Sequence, residues 1–234
     1  MKKWFLLIFT AISIAAIMSS KVYATDITVG ATTWYSWNDV TSEGDKSYDP
    51  DPIFFYGPAL AVKFNDDFNL TFVFLYGKFN MKVDDPAATP PESEVKMNRY
   101  DSDLALNYRL NDYFKIFAGV KYLGYRGSGM DRSGFGPGLG ISYTYPITND
   151  LFVLANLSGF HLWTDSNDED ENNKTCYDYG INSNLSIAYY MADISTTISL
   201  GGRFQYVKQD YNTDQKITAK FYGVTLTATY TFSI

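Results

Sequence analysis

The chain has 234 residues, of which 46% are hydrophobic and 18% aromatic, and its formal net charge at pH 7 is −7. An acidic surface repels the phosphate backbone, so this charge excludes nucleic acid as a partner. The single cysteine, Cys176, excludes an intramolecular disulfide. We expect it to be an incidental loop residue, with an intermolecular disulfide as the alternative.

The start of the chain has the pattern of a secretory signal peptide. Lys2 and Lys3 form a basic start, residues 6–17 are an apolar run, and residues 22–24 (Val-Tyr-Ala) form a small-residue cleavage site. We predict that residues 1–24 are removed, which leaves 16 basic and 26 acidic residues in a single domain. No later segment approaches the roughly 20 apolar residues of a membrane-spanning helix. If the protein spans a membrane, it does so with strands.

From residue 27 onwards, apolar and aromatic residues occupy every second position in segment after segment. This period of two predicts β-strands, and there are ten such segments. The opposite face of each segment is small or polar, as in the alternate threonines Thr225, Thr227 and Thr229. In chain order the segments are 27–37, 54–64, 70–76, 100–110, 114–122, 139–145, 151–157, 179–189, 194–206 and 222–234.

The alternation is compatible with two kinds of barrel. In a soluble, lipocalin-like barrel the large apolar side chains would fill the interior, and glycine, alanine and threonine would face water. A small barrel has too little room for that many rings, and soluble exteriors favour Lys and Glu, which are scarce in these segments. We therefore predict that the apolar face contacts lipid, in a barrel whose closure leaves no unpaired strand edge.

The connections between the segments alternate in length. Short gaps at 65–67, 111–113, 146–150 and 190–193 alternate with longer ones, which span 38–52, 80–98, 126–134, 164–177 and 208–215. Short periplasmic turns and longer extracellular loops are typical of outer-membrane barrels. The predicted fold is all-β: a single antiparallel up-and-down transmembrane β-barrel of about ten strands over residues 25–234, located in the outer membrane.

The short gaps also predict register. The turn at 111–113 would place Asp103 beside Lys121, so that opposite charges face each other across the strands. The turn at 146–150 would place Gly136 opposite Phe160. Small residues opposite large ones predict a lumen that is largely filled by side chains.

These features resemble those of the small outer-membrane β-barrel superfamily of Gram-negative bacteria, which includes opacity-type surface antigens and OmpA-like barrels. The last strand adds to the resemblance, since Tyr230, Phe232 and Ile234 alternate as in the C-terminal signal that the barrel-insertion machinery recognises, with Ile in the final place of the usual Phe or Trp. The resemblance implies outer-membrane lipid, lipopolysaccharide and the insertion machinery as partners.

Charged residues on the small, polar face are the candidate functional residues. They could line a polar path or form a satisfied network that plugs the lumen. A ten-stranded barrel is narrow, and unpaired buried charges are costly, so we expect the network. The set consists of Lys63, Asp101, Asp103, Arg109, Lys121 and Arg203.

No catalytic, cofactor or metal site is predicted. His161, the single histidine, has the opposite parity to Ser158 and lies by parity on the lipid face beside Trp163. The acidic loop 164–177 offers oxygen ligands for Ca²⁺ but lacks the glycine of an EF-hand, so we expect a solvated loop with at most weak divalent-cation association. Loop 81–98, rich in proline and acidic residues, is expected to be loosely held.

The leading hypothesis is therefore a non-enzymatic barrel that serves envelope structure or surface interaction through its extracellular loops. A narrow porin-like channel for ions or small solutes is the alternative. A hydrolase embedded in the barrel is a distant third.

Overall fold

The computed structural model describes residues 25–43, 47–84, 92–127, 130–166, 175–210 and 216–233. The predicted signal peptide, residues 1–24, and Ile234 lie outside the described residues. Among the described residues, no helix is long and apolar enough to cross a membrane.

The described chain is built from eleven strands joined into one sheet. They are β1 (Asp26–Ser42), β2 (Ser47–Pro50), β3 (Ile53–Lys63), β4 (Phe68–Asp84), β5 (Glu92–Arg109), β6 (Phe114–Gly127), β7 (Met130–Pro146), β8 (Leu151–Ser166), β9 (Thr175–Met191), β10 (Thr196–Asp210) and β11 (Lys216–Ser233). A short 3₁₀ helix, Ala192–Ile194, precedes β10.

Ten of these strands close the barrel. Each pairs antiparallel with the next in chain order, and β11 pairs with β1 from Asp26–Ser233 to Ser42–Ile217, which closes the ring. The four-residue β2 pairs with β1 at Val40 and with β4, so it occupies the same place in the ring as β3. The predicted ten-stranded antiparallel barrel is confirmed.

The strands extend beyond the alternating segments at the extracellular end. β4 continues to Asp84 and pairs along its whole length with β5, which begins at Glu92. The expectation that residues 81–98 are loosely held is therefore wrong for 81–84 and 92–98, and residues 85–91 lie outside the described chain. Strands can pair through their backbone amides and carbonyls even where they have no apolar face. The apolar alternation in the sequence therefore predicts strands that are too short above the membrane.

Three of the periplasmic turns share one geometry. In each, the first of three turn residues has a side-chain oxygen that accepts hydrogen bonds from the backbone N–H groups two and three residues later. The donors lie 2.9 and 2.8 Å from Asn65 Oδ1, 2.9 and 2.9 Å from Asn111 Oδ1, and 3.3 and 3.1 Å from Thr148 Oγ1. This shared turn fixes the register of three hairpins.

The third of these turns corrects a prediction. The backbone N–H of Ile147 donates to Leu151 O at 2.7 Å, so the turn is centred one residue further along than the sequence gap suggested, which changes the register by two residues. Phe160 consequently lies opposite Gly138, not Gly136. The shift by two residues keeps every side chain on its predicted face.

The large apolar side chains point outwards, as a membrane barrel requires. Leu139, Leu185 and Leu200 are 65%, 61% and 59% exposed on the outer surface. Aromatic rings form a girdle at each end of this band, a feature of transmembrane barrels. Ring pairs include Phe68–Tyr108 and Phe114–Tyr143 near the periplasmic turns, and Trp37–Tyr222 and Tyr76–Tyr100 nearer the extracellular end.

Candidate functional site

The extracellular half of the lumen is filled by side chains. Every strand of the ring contributes at least one inward side chain that is no more than 3% exposed. One such residue per strand defines what we call the plug: Trp34, Phe55, Leu75, Arg99, Leu123, Arg132, Leu162, Asp178, Val207 and Phe221.

Arg99 lies within the apolar side of the plug. Its guanidinium carbon is 3.5 Å from the ring centroid of Phe221 and 5.4 and 5.3 Å from those of Phe55 and Tyr125. The Trp34 ring stacks on Phe55 at 5.0 Å. Such contacts with ring faces are favourable cation–π interactions. The guanidinium is therefore held mainly by rings, in a site closed to water.

The rest of the Arg99 guanidinium is only partly hydrogen-bonded. Nη2 donates to Gln205 Oε1 and lies 3.6 Å from Asp101 Oδ2. Nε and Nη1 have no hydrogen-bond partner within the part of the chain that the structure describes.

Beneath the plug, four charges form what we call the ionic layer: Asp101, Asp103, Lys121 and Arg203. Lys121 Nζ donates to Asp101 Oδ1 at 2.9 Å and to Asp103 at 3.0 Å. Arg203 Nη2 lies 3.3 Å from Asp101 Oδ1 and 3.7 Å from Asp103 Oδ2. Gln205 Nε2 donates to the second Asp101 oxygen at 2.8 Å. Two carboxylates and two cations thus neutralise each other across the lumen.

Two residues predicted for this network lie elsewhere. Lys63 and Arg109 lie at the periplasmic rim, where their side chains are 42% and 39% exposed. Lys63 Nζ is 2.9 Å from Asp66, and this hydrogen bond holds the pKa of Asp66 below its usual range. Arg109 is 3.8 Å from both Asp67 and Asp112. Lys63 and Arg109 have inward parity, but they lie close to the turns. They therefore pair with carboxylates of the turns and not with the charges of the lumen.

Sequence reasoning missed several charged and polar members of the lumen. Arg99 and Gln205 have the same parity as Asp101 and Arg203, two residues away, so parity could have found them. Arg132 donates to Asp178 inside the plug, and both residues lay in or beside segments predicted to be loops. The extension of the strands above the membrane is what brings this pair into the barrel.

On the periplasmic side of the ionic layer there is a cavity of about 380 Å³, which we call the vestibule. Amides, hydroxyls and glycines line most of it, and Asp103, Lys115, Lys121 and Arg203 supply the charges. The polar residues of its wall include Asn69, Thr71, Asn107, Ser142, Asn156, Ser158, Asn182 and Asn184.

The remaining candidates lie outside the lumen. His161 is on the lipid face, as its parity predicts, stacked on Tyr177 at 5.5 Å and edge-on to Trp163 at 6.0 Å. Tyr230 and Phe232 also face lipid, with ring centroids 4.6 Å apart. Cys176 is buried in β9, so the expectation of a loop position is wrong.

Most of the predicted acidic loop lies outside the described residues. Residues 167–174 of the predicted loop 164–177 lie outside the described residues, while Asp165 is part of β8. Within the described residues there is no group of three or more His, Cys, Asp or Glu side chains that could hold a metal ion.

Solved structures of outer-membrane proteins resemble this fold. The outer membrane protease OmpT from Escherichia coli is 11% identical, with 88% of this chain and 97% of that chain covered and a TM-score of 0.59. OprG from Pseudomonas aeruginosa is 12% identical, with 90% and 97% covered and a TM-score of 0.42. Ail, the attachment invasion locus protein of Yersinia pestis, is 11% identical, with 88% and 98% covered and a TM-score of 0.37. At this identity the likeness to OmpT shows a common fold and nothing about activity.

No curated protein matches the sequence. The profile of the family described as "Putative beta-barrel porin-2, OmpL-like" matches residues 24–233, the whole barrel. This match, together with the fold, confirms the resemblance to small outer-membrane barrels and places the protein in the outer membrane of a Gram-negative bacterium. The chain belongs to the family of OmpL-like β-barrel porins.

Proposed function

We propose that the protein is a non-enzymatic outer-membrane barrel, closed to solutes in the extracellular half of its lumen, that acts through its outer surface and extracellular hairpins. The observation that carries this proposal is the plug. All ten ring strands contribute a buried side chain to it, which supports a lumen without a continuous water path.

The ionic layer supports the same conclusion. A selectivity filter needs charged groups that water and ions can reach, whereas Asp101 is 1% and Lys121 2% exposed. Each is already paired within 3.0 Å. Paired, desolvated charges of this kind hold strands together and leave no free group for a passing ion.

The extracellular hairpins supply the surface through which the proposed function is carried out. β4 and β5 remain paired for eight residues beyond the girdle residue Tyr76, out to Asp84. At about 3.3 Å per residue, that is roughly 26 Å of continuous ladder. A rigid hairpin of this length can present its tip to a partner at little cost in conformational entropy.

A non-enzymatic role is supported by the position of His161. The imidazole packs between Trp163 and Tyr177 on the lipid face, away from the carboxylates of the lumen. The test is hydrolysis of lipid A or peptides by the refolded protein. Activity that is present in the wild type and lost in His161→Ala would overturn the proposal.

A narrow channel is the second candidate, favoured by the porin-like family and by the vestibule. The deciding experiment is single-channel conductance of the refolded protein in a planar bilayer, with a boiled sample as control. We expect a silent bilayer with verified insertion for the wild type. Phe55→Ala combined with Phe221→Ala, which removes two rings of the plug, should produce discrete steps.

The matched control is Phe54→Ala combined with Tyr222→Ala, since each of these neighbouring rings points to lipid and is about half exposed, at 53% and 48%. This variant should stay silent. Discrete steps in the wild type itself, absent from the boiled sample, would replace the closed barrel by the channel.

A further inference from the structure

Three cations stand together on the outer face of β4, β5 and β6, just beyond the extracellular aromatic girdle. Lys78, Lys96 and Arg126 are all exposed, while one inward neighbour of each is buried, namely Gly77, Met97 and Tyr125. In register, Lys78 lies opposite Asn98, and Asn98 lies opposite Arg126. Lys96 is two residues further out on the central strand, so the three cations surround Asn98. We call them the basic triad.

The triad stands directly above the lipid-facing rings. Lys78 Nζ is 6.0 Å from the ring centroid of Tyr76, and the Tyr76 hydroxyl donates to Asn98 Oδ1 at 2.8 Å. Tyrosines of a girdle lie at the level of the lipid headgroups. The three cations are therefore at the level of, or just beyond, the headgroups of the outer leaflet.

The charge of the triad is largely uncompensated. Arg126 Nε lies 3.2 Å from Asp131, whereas Lys78 and Lys96 have no carboxylate oxygen within 4.0 Å in the described part of the chain. Glu94 is on the same face, opposite Lys82, one row further from the membrane. Counting Asp131, the triad keeps a formal charge of about +2 at the headgroup level.

At the seam where β11 pairs with β1, outward cations are paired with carboxylates. Lys220 Nζ lies 3.5 Å from Asp39, and Lys208 Nζ lies 3.9 Å from Glu43. Lys78 and Lys96 thus differ from Lys208 and Lys220, because within the described residues neither has a carboxylate partner. Two strand spacings, about 10 Å, separate the strands of Lys78 and Arg126, a span that suits a diphosphorylated headgroup.

We propose that the basic triad is a docking site for a phosphorylated lipid of the outer leaflet, namely the lipid A part of lipopolysaccharide. Lys78, Lys96 and Arg126 bind its phosphates, and the rings of Tyr76 and Tyr100 pack against its acyl chains. Cations and an amide above an apolar, ring-covered wall match the amphipathic chemistry of this lipid. The site does not depend on whether the lumen conducts.

The test is titration of the full barrel, refolded in zwitterionic micelles, with lipid A and with lipid A from which both phosphates have been removed. Bound lipid is counted by native mass spectrometry. Lys78→Gln/Lys96→Gln/Arg126→Gln should bind lipid A at least about tenfold more weakly than the wild type, since each cation near a charged headgroup contributes. The two proteins should bind the phosphate-free lipid equally.

Lys208→Gln/Lys220→Gln is the control, because it removes two outward lysine charges that are already paired with carboxylates. It should bind lipid A within about twofold of the wild type. Unchanged binding by the triad variant, an equal loss in the control variant, or an equal loss for the phosphate-free lipid would each overturn the proposal. The substituted side chains are exposed, so the heat-modifiable gel shift should be that of the wild type.

Discussion

The guanidinium of Arg99 lies on the face of the Phe221 ring, 3.5 Å from its centroid, in the middle of the barrel. The contact joins β5 to β11, two strands that are not neighbours in the ring. A cation that bridges the lumen through a ring ties distant parts of the wall together.

The first prediction concerns the polarity of Arg99. Arg99→Met keeps most of the volume and removes a buried guanidinium with two unsatisfied nitrogens, so we expect stability within about 1 kcal/mol of the wild type, or a gain. Arg99→Ala leaves a cavity and should cost about 2–5 kcal/mol. The midpoint of urea unfolding in micelles, followed by tryptophan fluorescence, distinguishes the two. A large loss in Arg99→Met would mean that the charge itself holds the plug.

The second prediction concerns the ionic layer. Asp101→Leu leaves Lys121, Arg203 and Arg99 buried without their shared carboxylate, and we expect a loss of about 3–5 kcal/mol. Asp103→Leu should cost less, because that side chain is 37% exposed to the vestibule. Equal and small losses would indicate a hydrated lumen and favour the channel.

The barrel itself is predictable from the sequence because every strand must present an apolar face to lipid. Leu139, Leu185 and Leu200 alternate with small residues for that reason alone, and no knowledge of their neighbours is needed. The residues of the lumen obey no such rule. Lys63 and Asp101 are both charged residues with inward parity, yet Lys63 pairs with a turn residue at the rim and Asp101 pairs with cations across the lumen.

Depth along the barrel axis explains the residues that sequence reasoning misplaced. The plug is formed by inward residues from ten strands, and which of these residues meet depends on register. Arg132 and Asp178 meet across β8 because β7 and β9 continue above the membrane, where the apolar alternation has already ended. Nothing in either local sequence signals that continuation.

The third prediction concerns the shared periplasmic turn. Asn111→Ala removes an oxygen that accepts two backbone hydrogen bonds at 2.9 Å, and we expect a loss of about 1–2 kcal/mol. Asn111→Asp keeps an acceptor and should restore most of that stability. Asp112→Ala in the same turn is the control, since this side chain is 88% exposed and should change stability by less than about 0.5 kcal/mol. Urea midpoints compare the three, and an equal effect of Asn111→Ala and Asp112→Ala would contradict the role of the turn.

The fourth prediction tests the register of the hairpin between β7 and β8, where sequence and structure disagree by two residues. The structure places Ser142 opposite Asn156, and Thr144 opposite Leu154. Ser142→Cys/Asn156→Cys, made in a Cys176→Ser background, should form a disulfide on mild oxidation, because directly opposed Cβ atoms are close enough to bridge.

Thr144→Cys/Asn156→Cys, offset by two residues along the ladder, should not form a disulfide, since diagonal Cβ atoms are too far apart. Both pairs point into the vestibule, so they differ in register and hardly in solvent access. Gel mobility without reductant reads the result. No disulfide in the opposed pair would contradict the turn at Thr148 and the hydrogen bond from Ile147 to Leu151, since the register predicted from the sequence gap places Asn156 opposite Gly140.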